Sequence, residues 1–187
     1  MDFSKYFWQG EKVRLRPLKI EDAEQSYMDS LDTPSRQFLQ LGTELPTTID
    51  TQKEILSKYI NCKDVDGTMI LAIENLEGVK VGAISLHSQN LKNGIFSMGL
   101  GISSPYRKQG YGEEAARILM RYCFFERRFQ KCNSACVADN EASIGFHKKL
   151  GFIEEGRRRS NFFFNGQYHD EVLFGLIKKE FEEKEKE

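Results

Sequence analysis

The hexapeptide Arg107-Lys108-Gln109-Gly110-Tyr111-Gly112 sits between an apolar run and a helical pattern. Before it, Ile95, Phe96, Met98, Leu100 and Ile102 fall in a stretch punctuated by Gly94, Gly99 and Gly101, which ends at Ser103-Ser104-Pro105. After it, Ala115, Ile118, Leu119, Tyr122 and Cys123 recur at helical spacing. Glycines at a helix start let the backbone approach a ligand closely. They leave the first amide N–H groups free, and with the positive end of the helix dipole these donors suit a pyrophosphate. Arg107 and Lys108 add positive charge beside it. A Gly-x-Gly alone also describes a tight turn, but its setting between strand and helix favours a phosphate-bearing ligand. No Lys-Ser/Thr pair follows, so the loop is not of the Walker A kind.

A second ordered stretch lies downstream, Asn140-Glu141-Ala142-Ser143-Ile144-Gly145-Phe146-His147-Lys148-Lys149-Leu150-Gly151-Phe152. The first segment resembles motif A of the GNAT superfamily of N-acetyltransferases, Arg/Gln-x-x-Gly-x-Gly/Ala. The second is similar to that family's motif B, Asn-x-x-Ser-x-x-x-(Tyr/His)-x-x-x-Gly-Phe. The opening Val13 to Leu18 with Glu21-Asp22, and the closing Gly166 to Asp170 with Phe174-Gly175-Leu176, resemble the subgroup of ribosomal-protein N-terminal and spermidine acetyltransferases. The resemblance therefore runs through nearly the whole chain, in order.

It implies a mixed α/β fold, one central sheet with a splayed strand 4/strand 5 pair and helices on both faces. It also implies an acetyl-CoA-dependent transfer to a primary amine: a protein N-terminus, a polyamine or a small amine. Acyl transfer from a thioester needs a neutral amine, donors for the developing oxyanion and a proton for the leaving thiolate. By resemblance, backbone groups near Leu100, Gly101 and Ile102 contact the pantetheine. Arg107, Lys108, Gln109, Gly110, Tyr111 and Gly112 hold the pyrophosphate, and Asn140 makes a polar contact to the pantetheine arm. Asn140 is equally suited to cap the helix that follows it. Gly99 and Gly101 are consistent with a β-bulge and close backbone approach.

His147 stands where many relatives have a tyrosine whose hydroxyl protonates the thiolate. An imidazolium also gives a proton, so His147 is either that acid or a helix-surface histidine with no chemical role. Ser97 stands where relatives often carry glutamate as base. It cannot deprotonate an ammonium directly but can hold a relaying water, and His87 is a further relay. Ser143 reads as a local backbone hydrogen-bonder, because no His/Asp partner pattern accompanies it. The replaced Tyr and Glu positions leave a second reading open, an acyl-CoA-binding sensor or scaffold without turnover. Asp170, Glu171, Glu21 and Asp22 are carboxylates that either attract a cationic amine or are solvated faces and caps. Phe162-Phe163-Phe164 lines either the acceptor mouth or a homodimer contact.

The 187 residues suit one domain, 1–187, with an N-terminal extension over about 1–10 and a solvated tail over about 179–187. Phe3, Tyr6, Phe7 and Trp8 are expected to dock on that domain. A net charge of −1 gives no general attraction to nucleic acid. No apolar run is long enough to span a bilayer, and the first residues lack a signal-peptide core. Four cysteines, at 62, 123, 132 and 136, include no Cys-x-x-Cys pair. Reduced thiols and no metal fit best, which suits the cytoplasm.

The elements follow from periodicity and punctuation. Val13 and Leu15 alternate with Arg14 and Arg16 in a first strand ended by Pro17. Residues 21–31 and 50–61 are helical, with 33–48 a loop holding a short helix. Strands over 68–74 and 79–86 turn through Glu77-Gly78, and strands over 152–159 and 168–177 turn through Asn165-Gly166. The glycine-rich strand 94–102, a helix, strand 131–138 and helix 141–150 complete the order.

Overall fold

A computed structural model of the chain describes residues 5–39, 43, 45–62 and 64–186. Its strands are β1 (Val13–Pro17), β2 (Met69–Asn75), β3 (Lys80–Asn90), β4 (Ile95–Ile102), β5 (Lys131–Val137), β6 (Ile153–Phe164) and β7 (Gln167–Ile177). The helices are α1 (Ala23–Ser30), α2 (Thr33–Phe38), α3 (Ile49–Ser57), α4 (Tyr111–Arg121), α5 (Glu141–Leu150) and α6 (Lys178–Lys184). The strands form one sheet in the order β1-β2-β3-β4-β5-β7-β6. Every pairing is antiparallel except β4 with β5. The mixed α/β architecture expected from the sequence is therefore the observed one.

The β4–β5 pairing matters most for the site. It holds at only three rungs, Ile95↔Lys131, Phe96↔Cys132 and Ser97↔Asn133. Beyond them β4 runs on to Ile102 against β3 alone, and β5 runs on to Val137 against β7 alone. The sheet is thus split from Met98 onward. Parallel neighbours need a long crossover, and α4 supplies it. Its inward residues Ala115, Ala116, Ile118, Leu119 and Met120 are all buried, and one π-helical turn, Tyr122–Glu126, ends it. Phe96 under the seam meets Phe124 and Phe129 with ring centroids 5.4 and 5.2 Å apart.

The bulge expected at Gly99 and Gly101 lies elsewhere. Register with β3 is unbroken through Ser85↔Gly99 and Ala83↔Gly101, and it shifts between His87 and Asn90. The glycines serve close approach instead. A Cβ on Gly101 would stand 3.4 Å from Leu39 Cδ1, and a Cβ on Gly82 would stand 2.3 Å from the Gly101 carbonyl.

Two hairpins turn where their residues predict. Gly78 adopts φ +86°, and Asn165 and Gly166 take φ 51° and 74°, the left-handed pair of a tight hairpin. β6 reaches Phe164, so the triple-Phe run belongs to the strand. The C-terminal stretch is a correction. It forms α6, whose Phe181 is fully buried against Phe124, and Glu185 beyond it pairs with Arg117 at 2.7 Å. At the other end, Trp8 packs on Tyr122 at 4.8 Å, while Tyr6 and Phe7 stay 45% and 42% exposed; Phe3 lies outside the described residues.

Candidate active site

The split between β4 and β5 opens a cleft of about 1260 Å³. Its floor is the last rung, Ser97 with Asn133. One wall is Leu100 to Ile102 and the start of α4, and the other includes Ser134, Asn140 and His147. The sequence-predicted residues Ser97, Leu100, Gly101, Ile102, Arg107, Lys108, Gly110, Tyr111, Gly112, Asn140 and His147 all line this one cleft. Gln109 sits within the loop, donating to the Pro105 carbonyl at 3.5 Å.

The loop before α4 is bent by two left-handed residues, Lys108 (φ 62°) and Gly110 (φ 85°), the second being the N-cap. That turn exposes the amides that begin the helix. A Cβ on Gly112 would meet Leu100 Cδ2 at 3.2 Å, so this glycine sets how closely α4 approaches β4. Sequence reasoning missed Lys12. Its Nζ lies 3.4 Å from the Gln109 carbonyl and 2.8 Å from where a Cβ on Gly110 would stand. It is held there by Glu114 in the first turn of α4. The Glu114 carboxylate accepts from the backbone N–H groups of Glu11, Lys12 and Val13 at 2.8, 2.8 and 2.7 Å. Arg107, expected to add positive charge beside the pyrophosphate, has its guanidinium engaged within the chain. Its guanidinium donates to Asp32 at 2.9 Å, Ser35 at 2.7 Å and the Ile102 carbonyl at 2.9 Å. The Ser35 hydroxyl and Arg107 together hold the Asp32 carboxyl below its ordinary range.

Asn140 caps α5, its side-chain oxygen accepting from Ser143 N at 3.0 Å. His147, one turn from the end of the same helix, is only 4% exposed. Its ring stacks on Phe174 at 4.5 Å, its Nδ1 meets the Ser143 carbonyl at 2.7 Å, and its Nε2 meets Ser134 Oγ at 2.7 Å. A carbonyl only accepts, so Nδ1 carries the proton and Nε2 accepts from the Ser134 hydroxyl. Burial pulls the imidazole below its usual value, and the Ser143 carbonyl offsets this only in part. His147 is accordingly a neutral ring with both nitrogens engaged. That is neither the poised imidazolium nor the idle surface histidine that the sequence left open. Ser134, which no motif singled out, presents its hydroxyl to the cleft.

On the opposite face of the seam, His87 on β3 stands directly across from Ser97. Burial keeps its imidazole below the usual value, hence neutral at neutral pH, and its Nδ1 lies 3.1 Å from Ser88 Oγ.

The far mouth is built by α2 and the β6–β7 hairpin. Phe38 meets Phe164 edge-on at 6.3 Å, and Phe164 stacks on His169 at 3.8 Å. Gln37 and Asn165 exchange hydrogen bonds at 3.0 and 3.3 Å. Within this mouth Glu171 is 5% exposed, accepting from Arg158 at 3.0 Å and Asn161 at 3.1 Å. Phe163 and Tyr168 instead face outward, 63% and 70% exposed.

A half-sheet that parts from its parallel neighbour, backed by a glycine-capped helix, defines an α/β protein with room for an extended ligand between two strands. The model of the acetyltransferase (GNAT) domain matches residues 12–153, and the chain belongs to this family of N-acetyltransferases, which use acetyl-CoA as acetyl donor. It is 31% identical to the SPbeta prophage-derived uncharacterized N-acetyltransferase YokL of Bacillus subtilis (strain 168), over 94% of this chain and 96% of that protein. The putative ribosomal N-acetyltransferase YdaF of the same organism is 28% identical, over 92% and 95%. The crystal structure of spermidine N-acetyltransferase from Vibrio cholerae in complex with CoA and spermine superposes with a TM-score of 0.80 at 17% identity, covering 92% of this chain and 99% of that one. Among the described residues, no helix is long and apolar enough to cross a membrane.

Proposed function

We propose that this protein moves the acetyl group of acetyl-CoA to a primary amine by direct attack on the thioester. The observation that carries the reading is the seam that ends at Ser97 and Asn133, with the left-handed Gly110 and the start of α4 at its open side. The pyrophosphate rests on the first amides of α4, with Lys12 beside the loop. The pantetheine arm runs along the unpaired edge of β4 from Leu100 to Ile102, past Asn140, as an added strand would. The thioester then sits at the foot of the split, where a β4 amide polarises its carbonyl. The amine's lone pair forms the N–C bond, the C–S bond breaks, and CoA leaves as the thiolate.

With its proton committed to the Ser143 carbonyl, His147 is a positioning residue for the Ser134 hydroxyl. The thiolate takes its proton from solvent. On the acceptor side, Glu171 and the aromatic mouth suit a cationic amine on an apolar stem. The relatives' names, ribosomal and spermidine acetyltransferase, support two acceptor classes: a protein N-terminus and a polyamine.

Release of free CoA thiol from acetyl-CoA, followed with spermidine and with a peptide bearing a free N-terminus, tests the reading. Amine-dependent release is expected with at least one of them. A protein that CoA protects against melting but that releases no thiol with either is a binding module.

A further inference from the structure

At the foot of the cleft one polar atom is left without a partner. The side-chain Oδ1 of Asn133 is shielded from solvent and makes no hydrogen bond among the described residues. Folds seldom keep a buried acceptor in that state unless something else supplies the donor. Asn133 stands on the last rung of the seam across from Ser97, and Ser97 stands across from His87. Directly opposed residues project to the same side of a sheet. His87, Ser97 and Asn133 therefore form a polar row over three strands, roughly 10 Å long at ordinary strand spacing. All three line the cleft.

The row is flanked by glycines that make room for polar side chains beside it. On β7 the residue paired with Asn133 is Gly175, and the Glu155 carboxylate, held by Lys131 at 2.6 Å, lies over it: a Cβ on Gly175 would stand 2.4 Å from Glu155 Oε1. On β4, a Cβ at Gly99 would stand 3.8 Å from Nε2 of His87 and 2.9 Å from Ser85 Oγ. Ser134 and His147 lie on the other side of the sheet, because successive residues of β5 alternate faces. A thioester placed in the split is thus bordered by two different polar sets, and only one of them contains an unmet acceptor.

We infer that Asn133 seats the attacking nitrogen, its Oδ1 accepting one N–H of a primary amine, while Ser97 and His87 carry away the proton that the amine loses. This rests on the acetyl-transfer reading above and names the residues that receive the acceptor. With one N–H held on Asn133, the amine lone pair faces the thioester carbonyl carbon. The N–C bond forms, and the C–S electron pair leaves on sulfur. The second amine proton passes to the Ser97 hydroxyl as that hydroxyl gives its own to Nε2 of His87. A secondary amine has a single N–H and cannot both be seated and lose a proton. The row therefore selects primary amines.

The test uses Asn133→Leu, similar in size without the acceptor, and Asn133→Asp, which keeps an acceptor oxygen. The amine is spermidine or the free-N-terminus peptide, whichever the parent acetylates. Asn133→Leu is expected to raise the amine KM about tenfold or more, while the acetyl-CoA Kd by calorimetry stays within about twofold. Asn133→Asp is expected to recover most of the loss, and His87→Gln to lower kcat by about tenfold or more with little change in amine KM. Should Leu not fold, as judged by circular dichroism, Asn133→Ala takes its place. A parent that releases no CoA with either amine overturns acetyl transfer itself. An active parent whose folded Asn133 variant keeps the parental amine KM, or loses acetyl-CoA affinity in step, overturns the seat alone. Parental turnover in His87→Gln overturns the proton route.

Discussion

Glu114 ties the beginning of the chain to the pyrophosphate loop, and its removal has a cost that can be worked from its partners. Three amide N–H groups converge on its carboxylate. Those of Glu11 and Lys12 are exposed and will take water in Glu114→Ala, so each loses only a fraction of a net hydrogen bond. Val13 is fully buried, and its amide is left without a partner. That orphan costs about 1–3 kcal/mol, and with the two exposed donors the total is about 2–4 kcal/mol. For a chain of this size the melting temperature should fall by roughly 5–15 °C. The second effect is functional. Lys12 is no longer held against the Gln109 carbonyl, and losing an exposed cation's contribution of up to about 1 kcal/mol weakens acetyl-CoA binding by about fivefold. Glu114→Gln, which keeps one acceptor oxygen, should fall between the two. Thermal melting by circular dichroism and calorimetric titration with acetyl-CoA read both effects. A Glu114→Ala protein that melts within about 1 °C of the parent would refute the account.

Gly110→Val forces a β-branched residue into the left-handed region and displaces Lys12, so acetyl-CoA affinity should drop about tenfold, near 1.4 kcal/mol. Unchanged affinity in calorimetry of the folded variant would remove the pyrophosphate from this loop. His147→Phe removes the acceptor of the Ser134 hydroxyl and the side-chain donor to the Ser143 carbonyl, which keeps its helical amide donor, at a cost of about 0.5–1.5 kcal/mol in stability. Its kcat should fall by less than about tenfold. A loss of about 100-fold, at unchanged melting temperature, would instead restore His147 as the acid.

Acid sensitivity is predicted from Asp22 and Glu74. Burial raises both carboxyls, but hydrogen bonds from Arg16 to both, with Arg14 to Glu74, outweigh it and leave them below their ordinary values of 3.8 and 4.5. Their stabilisation is thus present above pH 4.5 and lost as pH falls through the depressed native values. Glu74→Gln should flatten the fall in melting temperature below pH 4.5, and an unchanged slope would count against the network.

What the sequence made legible was local. The turn before α4, the cap of α5 by Asn140 and the hairpin at Asn165-Gly166 each depend on residues within a few positions of one another. What it hid depends on remote partners. Lys12 reaches a loop 97 positions away, and Gln37 meets Asn165 across 128. His147 looked like a choice between acid and bystander. Its burial is decided by Phe174 and Ser134, which come from other strands. α6 read as a tail because a single apolar residue, Phe181, anchors it, and one residue makes no periodic pattern. Gly99 and Gly101 suggest a bulge, whereas the register shifts near His87, where no sequence signal stands.

The three-rung seam also bears on how this protein avoids sticking to its neighbours. Unpaired strand edges at a sheet's periphery invite other chains to add to them and begin aggregates. Here the open edge of β4 lies in the middle of the sheet, inside a wedge that narrows to a closed joint at Ser97 and Asn133. A flexible, single-file molecule can thread into that wedge, but a foreign strand with side chains on both faces meets β5 on the other bank before it can align. Main-chain hydrogen-bonding capacity is thereby kept available to a slender guest and withheld from other proteins.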